Sequence, residues 1–219
     1  MADQGAEGLL SPYLRRKRMA AAAPFLRGRV LDIGCGSGHL ARYVSATDYL
    51  GVDQDERVMR LARNLYPRHS FASEIPKGAK FDSIVALAAI EHLGDPAQSL
   101  KAWAVHLAPS GHVVLTTPHP FGGWLHQLGA RCGLFSRQAA REHGRLLDLS
   151  ALARAASIAH LRLVYYAQFL FGLNQLAILS GAGEPSAPAL GFASVVGTPH
   201  AARSSEALPA EAAANSSSR

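Results

Sequence analysis

The chain has 219 residues, 48% of them hydrophobic and 17% charged, which is enough for one α/β domain with a full core and too apolar for a disordered polypeptide. Its two cysteines, Cys35 and Cys132, exclude a disulfide framework or a cysteine metal cluster and lead us to expect a cytoplasmic protein. Part of the formal charge of +6 sits in Arg15-Arg16-Lys17-Arg18, a run that reads first as a solvated helix face and only second as a contact for an acidic substrate or nucleic acid.

Residues 1–7 read as disordered, and Asp3 and Glu7 ahead of any apolar run argue against a signal peptide. From about Gly8 to Ala23, apolar Leu9, Leu10, Tyr13, Leu14 and Met19 alternate with basic residues, as in one amphipathic helix or two short ones. Pro12 suits a first turn and Pro24 an end, so residues 1–28 form an N-terminal helical arm.

Arg29 to Ile33 is a short apolar strand carrying one acid, Asp32. Gly34, Gly36 and Gly38 follow at alternate positions, and His39 to Val44 starts a helix. A strand, a glycine turn and a helix in that order build the nucleotide crevice of a doubly wound sheet, where a bound molecule approaches the backbone closely. The dinucleotide spacing G-x-G-x-x-G/A fails from Gly34, because the sixth position is His39. Counted from Gly36 it fits through Gly38 and Ala41, but the strand then ends too early.

Leu31-Asp32 followed by G-x-G-x-G resembles instead the first motif of class I S-adenosylmethionine-dependent methyltransferases, of the small-molecule type seen in ubiquinone biosynthesis. The resemblance implies a Rossmann-like α/β fold: a doubly wound seven-stranded sheet with the last strand antiparallel and helices on both faces, here residues 29–180. It implies S-adenosyl-L-methionine as cofactor, with Asp32 helping to hold the amino group of the methionine part and the backbone of Gly34, Cys35, Gly36 and Gly38 lying along it. A carboxylate suits that cationic end and would be out of place in a phosphate site. The N-terminal helix of such proteins lies over the cleft, so Tyr13 either helps to close it or belongs to a surface helix.

Tyr49 to Asp53 is a second strand ending in an acid, 19 residues after Gly34. At this spacing a carboxylate meets a ribose, accepting from two vicinal hydroxyls, although Asp53 also suits a helix N-cap and the two roles are compatible. Gln54 would line the adenine side. Arg57 to Tyr66 is a helix with Val58, Leu61, Ala62 and Leu65 on one face, ended by Pro67, and His69 to Ala72 is an edge strand. Family members often place an adenine-binding Asp near here; that place falls on Phe71, leaving Ser73, Glu74 or a backbone group to serve.

Phe81 to Leu87 is a continuous apolar run, as in a strand buried on both faces, with Leu87 at the cofactor end. Ala88-Ala89-Ile90-Glu91-His92-Leu93-Gly94-Asp95-Pro96 carries a second resemblance to the same family, a Glu-His-Leu followed by Asp-Pro opening a helix over Ala97 to Leu107. His92 would stand beyond a central strand, where its imidazole could take a proton from an acceptor or simply bond local backbone. Val113 to Thr117 is the next strand, and His119 just after it competes for the same base role.

Residues 118–147 read as an insertion over the cleft, with Trp124, His126, Arg131, Phe135, Arg137, Glu142 and His143 either contacting a planar or anionic acceptor or only excluding water. A His119/His126/His143 metal site lacks a known ligand spacing, and no metal is expected. Asp148 or Ser150 caps a helix to Ala159. Leu161 to Leu170 and Asn174 to Ser180 form a hairpin turning at Gly172, and 181–219 reads as a disordered tail. Leu163 to Leu179, the most apolar segment, is broken by Gln168, Asn174 and Gln175 and is too short to span a membrane.

The expected function is methyl transfer by direct in-line displacement to a small-molecule acceptor. The alternative is a cofactor-binding regulatory or partner subunit. Base amino-group methylation would call for Asn/Asp-Pro-Pro-aromatic where Leu87-Ala88-Ala89-Ile90 stands, and pyrimidine carbon methylation for a Pro-Cys pair, which is absent. Nucleic acid is therefore not an expected partner.

Overall fold

The structure is a computed structural model in which residues 11–120 and 147–181 are described. Among the described residues, four α-helices, α1 (Ser11–Ala22), α2 (Glu56–Leu65), α3 (Pro96–Ala104) and α4 (Leu149–Ile158), accompany seven strands. The strands are β1 (Val30–Ile33), β2 (Tyr49–Val52), β3 (Ser70–Ala72), β4 (Phe81–Leu87), β5 (Leu107–Pro118), β6 (Leu161–Phe169) and β7 (Asn174–Gly181). They form one sheet in the order β3-β2-β1-β4-β5-β7-β6. The first five pair in parallel with one another, and β7 runs antiparallel to β5 and β6. The chain winds outward from β1 on one side and from β4 on the other, so the switch point lies between those two strands.

Period-two alternation sends successive residues to opposite faces. Leu31, Ile84, Ala86, Val113, Leu115, Ala177 and Leu179 pack with Leu100 and Trp103 of α3 and Leu152, Ala155 and Ala156 of α4. Val30, Tyr49, Val85, Val114, Leu176 and Ile178 pack on the other face with Met19 and Ala22 of α1 and with Leu40 and Ala41. The described part of the N-terminal arm, residues 11–28, thus packs as a layer of the fold. Its exit is pinned to the sheet: His112 Nε2 meets Phe25 O at 2.6 Å, Ser83 Oγ bonds both Arg27 N and O at 2.9 Å, and Asp82 accepts from Arg29 N at 2.8 Å.

Four elements differ from the sequence reading. The helix expected at His39 to Val44 is a five-residue 3-10 turn, His39–Tyr43, whose cap Gly38 has no side chain to satisfy its amides and whose chain is extended again by Val44. So short a segment does not sustain an α-helix. The helix expected to reach Leu107 stops at Ala104, and β5 starts at Leu107 rather than Val113, because Phe81 pairs with Leu107 before the register shifts at Ala108 to Gly111. A Cβ on Gly111 would stand 2.9 Å from Phe81 O and 3.0 Å from Ala108 O, so this irregularity needs glycine. Finally, α2 is capped by Asp55, which accepts from Arg57 N, and not by Asp53.

The expected caps Asp95 and Asp148 are in place, and the β6–β7 hairpin turns at Gly172, φ +81°. Residues 1–10, most of the expected insertion (Trp124, His126, Arg131, Phe135, Arg137, Glu142 and His143 included) and the tail from 182 lie outside the described residues.

Candidate active site

The carboxyl ends of β1, β2, β4 and β5 converge on the switch point, and the predicted cofactor residues stand on that edge. The glycine turn leaves β1 with Gly34, Gly36 and Gly38 all at positive φ (+67°, +52° and +72°), backbone that L-residues rarely adopt. Gly34 and Cys35 donate to Val52 O at 2.9 and 3.2 Å, folding the turn against the end of β2. A Cβ on Gly36 would meet nothing within 4 Å. At Gly36 the turn therefore offers bare backbone to open space, where a ligand could approach it, while Gly34 and Gly38 pack against Ala89 and Phe71.

Asp53, just past β2, is aimed at that turn. Its Oδ2 accepts from Gly36 N at 2.9 Å and its Oδ1 from Asp55 N at 3.0 Å. A carboxylate has about four acceptor sites, so lone pairs remain on both oxygens for two ribose hydroxyls. Gln54 and Ser73 are exposed, one just beyond β2 and the other just beyond β3. Leu87 ends β4 half-buried against the α1 face of the sheet.

Asp32 is 3% exposed and accepts from Tyr49 Oη at 2.7 Å. Burial pushes its carboxyl up to about 7, against the stabilising Tyr49 bond, and nearby Asp53 adds to the rise. The ring of Tyr49 reaches it because Asp32 is paired with Gly51 on β2, where a Cβ would meet the Tyr49 hydroxyl at 2.9 Å. Such a buried acid is primed for a cation: a bound ammonium would draw it back to the carboxylate form.

Cys35 contributes backbone, not thiol. Its Sγ lies 3.8 Å from Met59 Sδ, and burial together with Asp32 and Asp53 pushes its pKa up, so no thiolate forms. Phe71, standing where the adenine acid was expected, points into the fold: Cβ atoms on Gly38 or Gly51 would come within 2.7 Å of its ring. Its place is structural.

The two histidines stand farther along the same edge. His92 is exposed at the end of the 3-10 turn Ile90–His92, and its amide donates to Ala89 O at 3.1 Å. His119 is half-buried beyond β5, with its amide on Leu173 O at 3.0 Å. Among the described residues no group of three or more His, Cys, Asp or Glu is arranged to hold a metal.

The structure adds residues that the sequence reading passed over. Glu91, quoted only as part of Glu-His-Leu, is 6% exposed, and its Oε2 has no hydrogen-bond partner. Desolvation raises its pKa, opposed by a hydrogen bond from its own backbone amide, by the charges of Arg18 and His92 and by a hydrogen bond from Thr117. Arg18 of α1, read as part of a solvated run, is desolvated enough to lower its own pKa, and its Nε donates to Asn174 Oδ1 at 2.8 Å. Ala88 holds φ +54° directly after β4. The acid between Ile90 and His92 was the only visible signal. Tyr49 and Arg18 come into place through strand register and helix docking, which single-sequence patterns do not carry.

A seven-stranded sheet of this order, with an acid before the glycine turn and an acid facing it, defines a class I methyltransferase crevice. The described pattern of a methyltransferase domain matches residues 7–166, and the chain belongs to that family. It is 31% identical over 102 residues to the ubiquinone biosynthesis O-methyltransferase of Acinetobacter baylyi, covering 41% of this chain and 43% of that protein. Over 114 residues it is 30% identical to the mitochondrial ubiquinone biosynthesis O-methyltransferase of Arabidopsis thaliana, covering 46% and 35%. The matched segments thus span less than half the length of either relative. Among solved structures, a possible histamine N-methyltransferase from Thermotoga maritima superposes with a TM-score of 0.61 at 18% identity, over 78% of this chain and 90% of that one. The plantazolicin methyltransferase in complex with S-adenosylhomocysteine gives 0.61 at 14% identity, over 77% and 84%. These likenesses confirm the expected fold.

Proposed function

We propose that the protein is an S-adenosylmethionine-dependent methyltransferase acting on a small-molecule acceptor by direct in-line displacement. The observation that carries this reading is Asp53, held by Gly36 N and Asp55 N with lone pairs turned to the open glycine turn. Asp53 would hold the ribose, Asp32 the methionine amino group, and the amides of Gly34, Cys35, Gly36 and Gly38 the chain between them. Gln54, Ser73 and Leu87 would flank the adenine. When bound, S-adenosylmethionine supplies a methyl group on an already electrophilic sulfonium, so the protein's work is orientation and desolvation; well-oriented intramolecular reactions gain about 7–11 kcal/mol this way.

The relatives named O-methyltransferases make a hydroxyl the favoured acceptor group. They give no support to a regulatory subunit without chemistry. His92 and His119 would face the acceptor beyond β4 and β5, with α1 forming the near wall of the cleft and 29–180 the catalytic domain. No described helix is long and apolar enough to cross a membrane, in line with the proposed cytoplasmic location.

Thermal unfolding tests the cofactor class. S-adenosylhomocysteine at a hundredfold excess over its Kd stabilises by about 2.7 kcal/mol, which should raise Tm by roughly 5–10 °C. NADH should leave Tm unchanged. A shift with NADH and none with S-adenosylhomocysteine would reverse the assignment.

A further inference from the structure

Tyr49 starts β2 at the end of the sheet away from the crevice, yet its hydroxyl reaches the acid of β1. It is paired with Val30, and its ring runs past Gly51, the residue paired with Asp32. Only glycine leaves that path open, since a Cβ on Gly51 would stand 2.9 Å from the Tyr49 hydroxyl. The ring rests edge-on against His69 and Phe71, with centroids 5.5 and 5.7 Å away. Its hydroxyl is thereby held 2.7 Å from Asp32 Oδ2, its one partner among the described residues. Burial, and then the charge of Asp32, push the pKa of the phenol up, so it stays a donor. Donation to a carboxyl favours the charged form over the neutral acid. Asp32 Oδ1 makes no hydrogen bond among the described residues, and it is not one of the side-chain atoms sealed without a partner. That oxygen therefore keeps contact with solvent and is the one left for a cation. Asp53 and Cys35 face this pair from the crevice side, and Tyr66 from the end of α2. His69 lies on the Tyr49 ring and His39 bonds Tyr66, while α1 brings Arg18, held by Asn174. β4 places only apolar Val85 beside Asp32.

We propose that Tyr49 is a positioning residue for cofactor binding: its hydroxyl fixes Asp32 Oδ2 and steadies the carboxylate, so that Oδ1 takes the methionine ammonium in exchange for the Asp32 proton. This rests on the methyltransferase reading above, in which Asp32 holds that ammonium. In the free protein, burial pushes the Asp32 carboxyl up to about 7 against the Tyr49 bond, and Asp53 adds to the rise. At neutral pH about half of the molecules thus carry the proton. Asp32 gives it up to water as it becomes the counter-ion of the ammonium, and no other bond is made or broken. A hydrogen bond to a charged group moves a titration by about one to two pH units. Without the Tyr49 hydroxyl the free carboxyl would be neutral in nearly every molecule at pH 7, and almost every binding event would have to expel a proton.

Calorimetric titration of S-adenosylhomocysteine at pH 7, in two buffers of different protonation enthalpy, counts the protons released. Wild type should release about half a proton per ligand, Tyr49→Phe close to one, and Asp32→Asn none. Tyr49→Phe should also bind about five- to fiftyfold more weakly at pH 7, a gap that narrows toward pH 8. The companion ligand is 5′-methylthioadenosine, which keeps the adenosine and thioether but lacks the ammonium. It should bind wild type and Tyr49→Phe alike and release no proton, whereas a purely structural role for Tyr49 would weaken both ligands together. Should Tyr49→Phe not fold, replacement of Tyr49 by 3-fluorotyrosine, a stronger donor of nearly the same size, should lower the proton count below that of wild type. A proton count unchanged by the replacement, equal weakening of both ligands in Tyr49→Phe, or proton release that survives in Asp32→Asn and so belongs to His39 or His69, would each overturn the proposal. Failure of wild type to bind either ligand would instead overturn the methyltransferase reading itself.

Discussion

Asp32 near the end of β1 and Asp53 just past β2 stand two positions apart in register on neighbouring strands, yet their surroundings are opposite. Asp53 is fixed by two backbone amides at the turn, whereas Asp32 is sealed beneath it with Tyr49 as its donor. The physical consequence lies in linkage. With a folded-state pKa near 7 against an ordinary value of 3.8, Asp32 holds a proton in the native state that the unfolded chain has released. Its contribution to stability is therefore present at low pH and is lost as pH rises through that window. Asp32→Asn keeps an oxygen for Tyr49 and removes the titration. The variant is expected to gain more stability over wild type at pH 8 than at pH 5 in urea unfolding. The same gain at both pH values would show that Asp32 is ionised throughout. The cost of the substitution falls on function, since the amide offers no counter-charge to an ammonium.

At the scale of elements, the crevice depends on small residues that let β2, β3 and the glycine turn close together. Gly51 is the sharpest case: an added Cβ would stand 2.7 Å from the Phe71 ring and 2.9 Å from both Cys35 Sγ and the Tyr49 hydroxyl. Gly51→Ala should destabilise by about 1–3 kcal/mol, the usual cost of overpacking, and should weaken cofactor binding through the displaced turn. Equilibrium unfolding together with ligand titration reads both, and a variant as stable and as tight-binding as wild type would refute this packing account. The same contacts explain why Phe71 looked anomalous in the sequence. It occupies the place where the resemblance led us to expect an acid, but its ring fills space that Gly38 and Gly51 vacate. Most elements were legible because buried parallel strands and capped helices leave local marks, as Asp95-Pro96 does. The 3-10 turn after Gly38 and the early start of β5 were not, because chain reversal and cross-strand pairing decide them.

For the molecule as a whole, two halves of a sheet wind away from β1 and β4, and the glycine turn, Asp32 and Asp53 stand where they part. The cluster of Asp32, the glycines and Asp53 was legible in the sequence, through spacing and the family resemblance, because these residues share one stretch of sequence and its first neighbour. The buried polar group around Glu91 was not, because Arg18, Glu91, Thr117 and Asn174 span 157 positions of the chain and come together only after α1 docks and β7 inserts beside β5. Titration calorimetry of S-adenosylmethionine and S-adenosylhomocysteine into wild type and Asp53→Ala tests the central claim most directly. Loss of this charge-assisted contact should weaken binding by about 1.5–3 kcal/mol, roughly tenfold to somewhat over a hundredfold, with wild type binding both ligands. Binding of neither ligand by wild type, or equal affinity in the variant, would contradict the account.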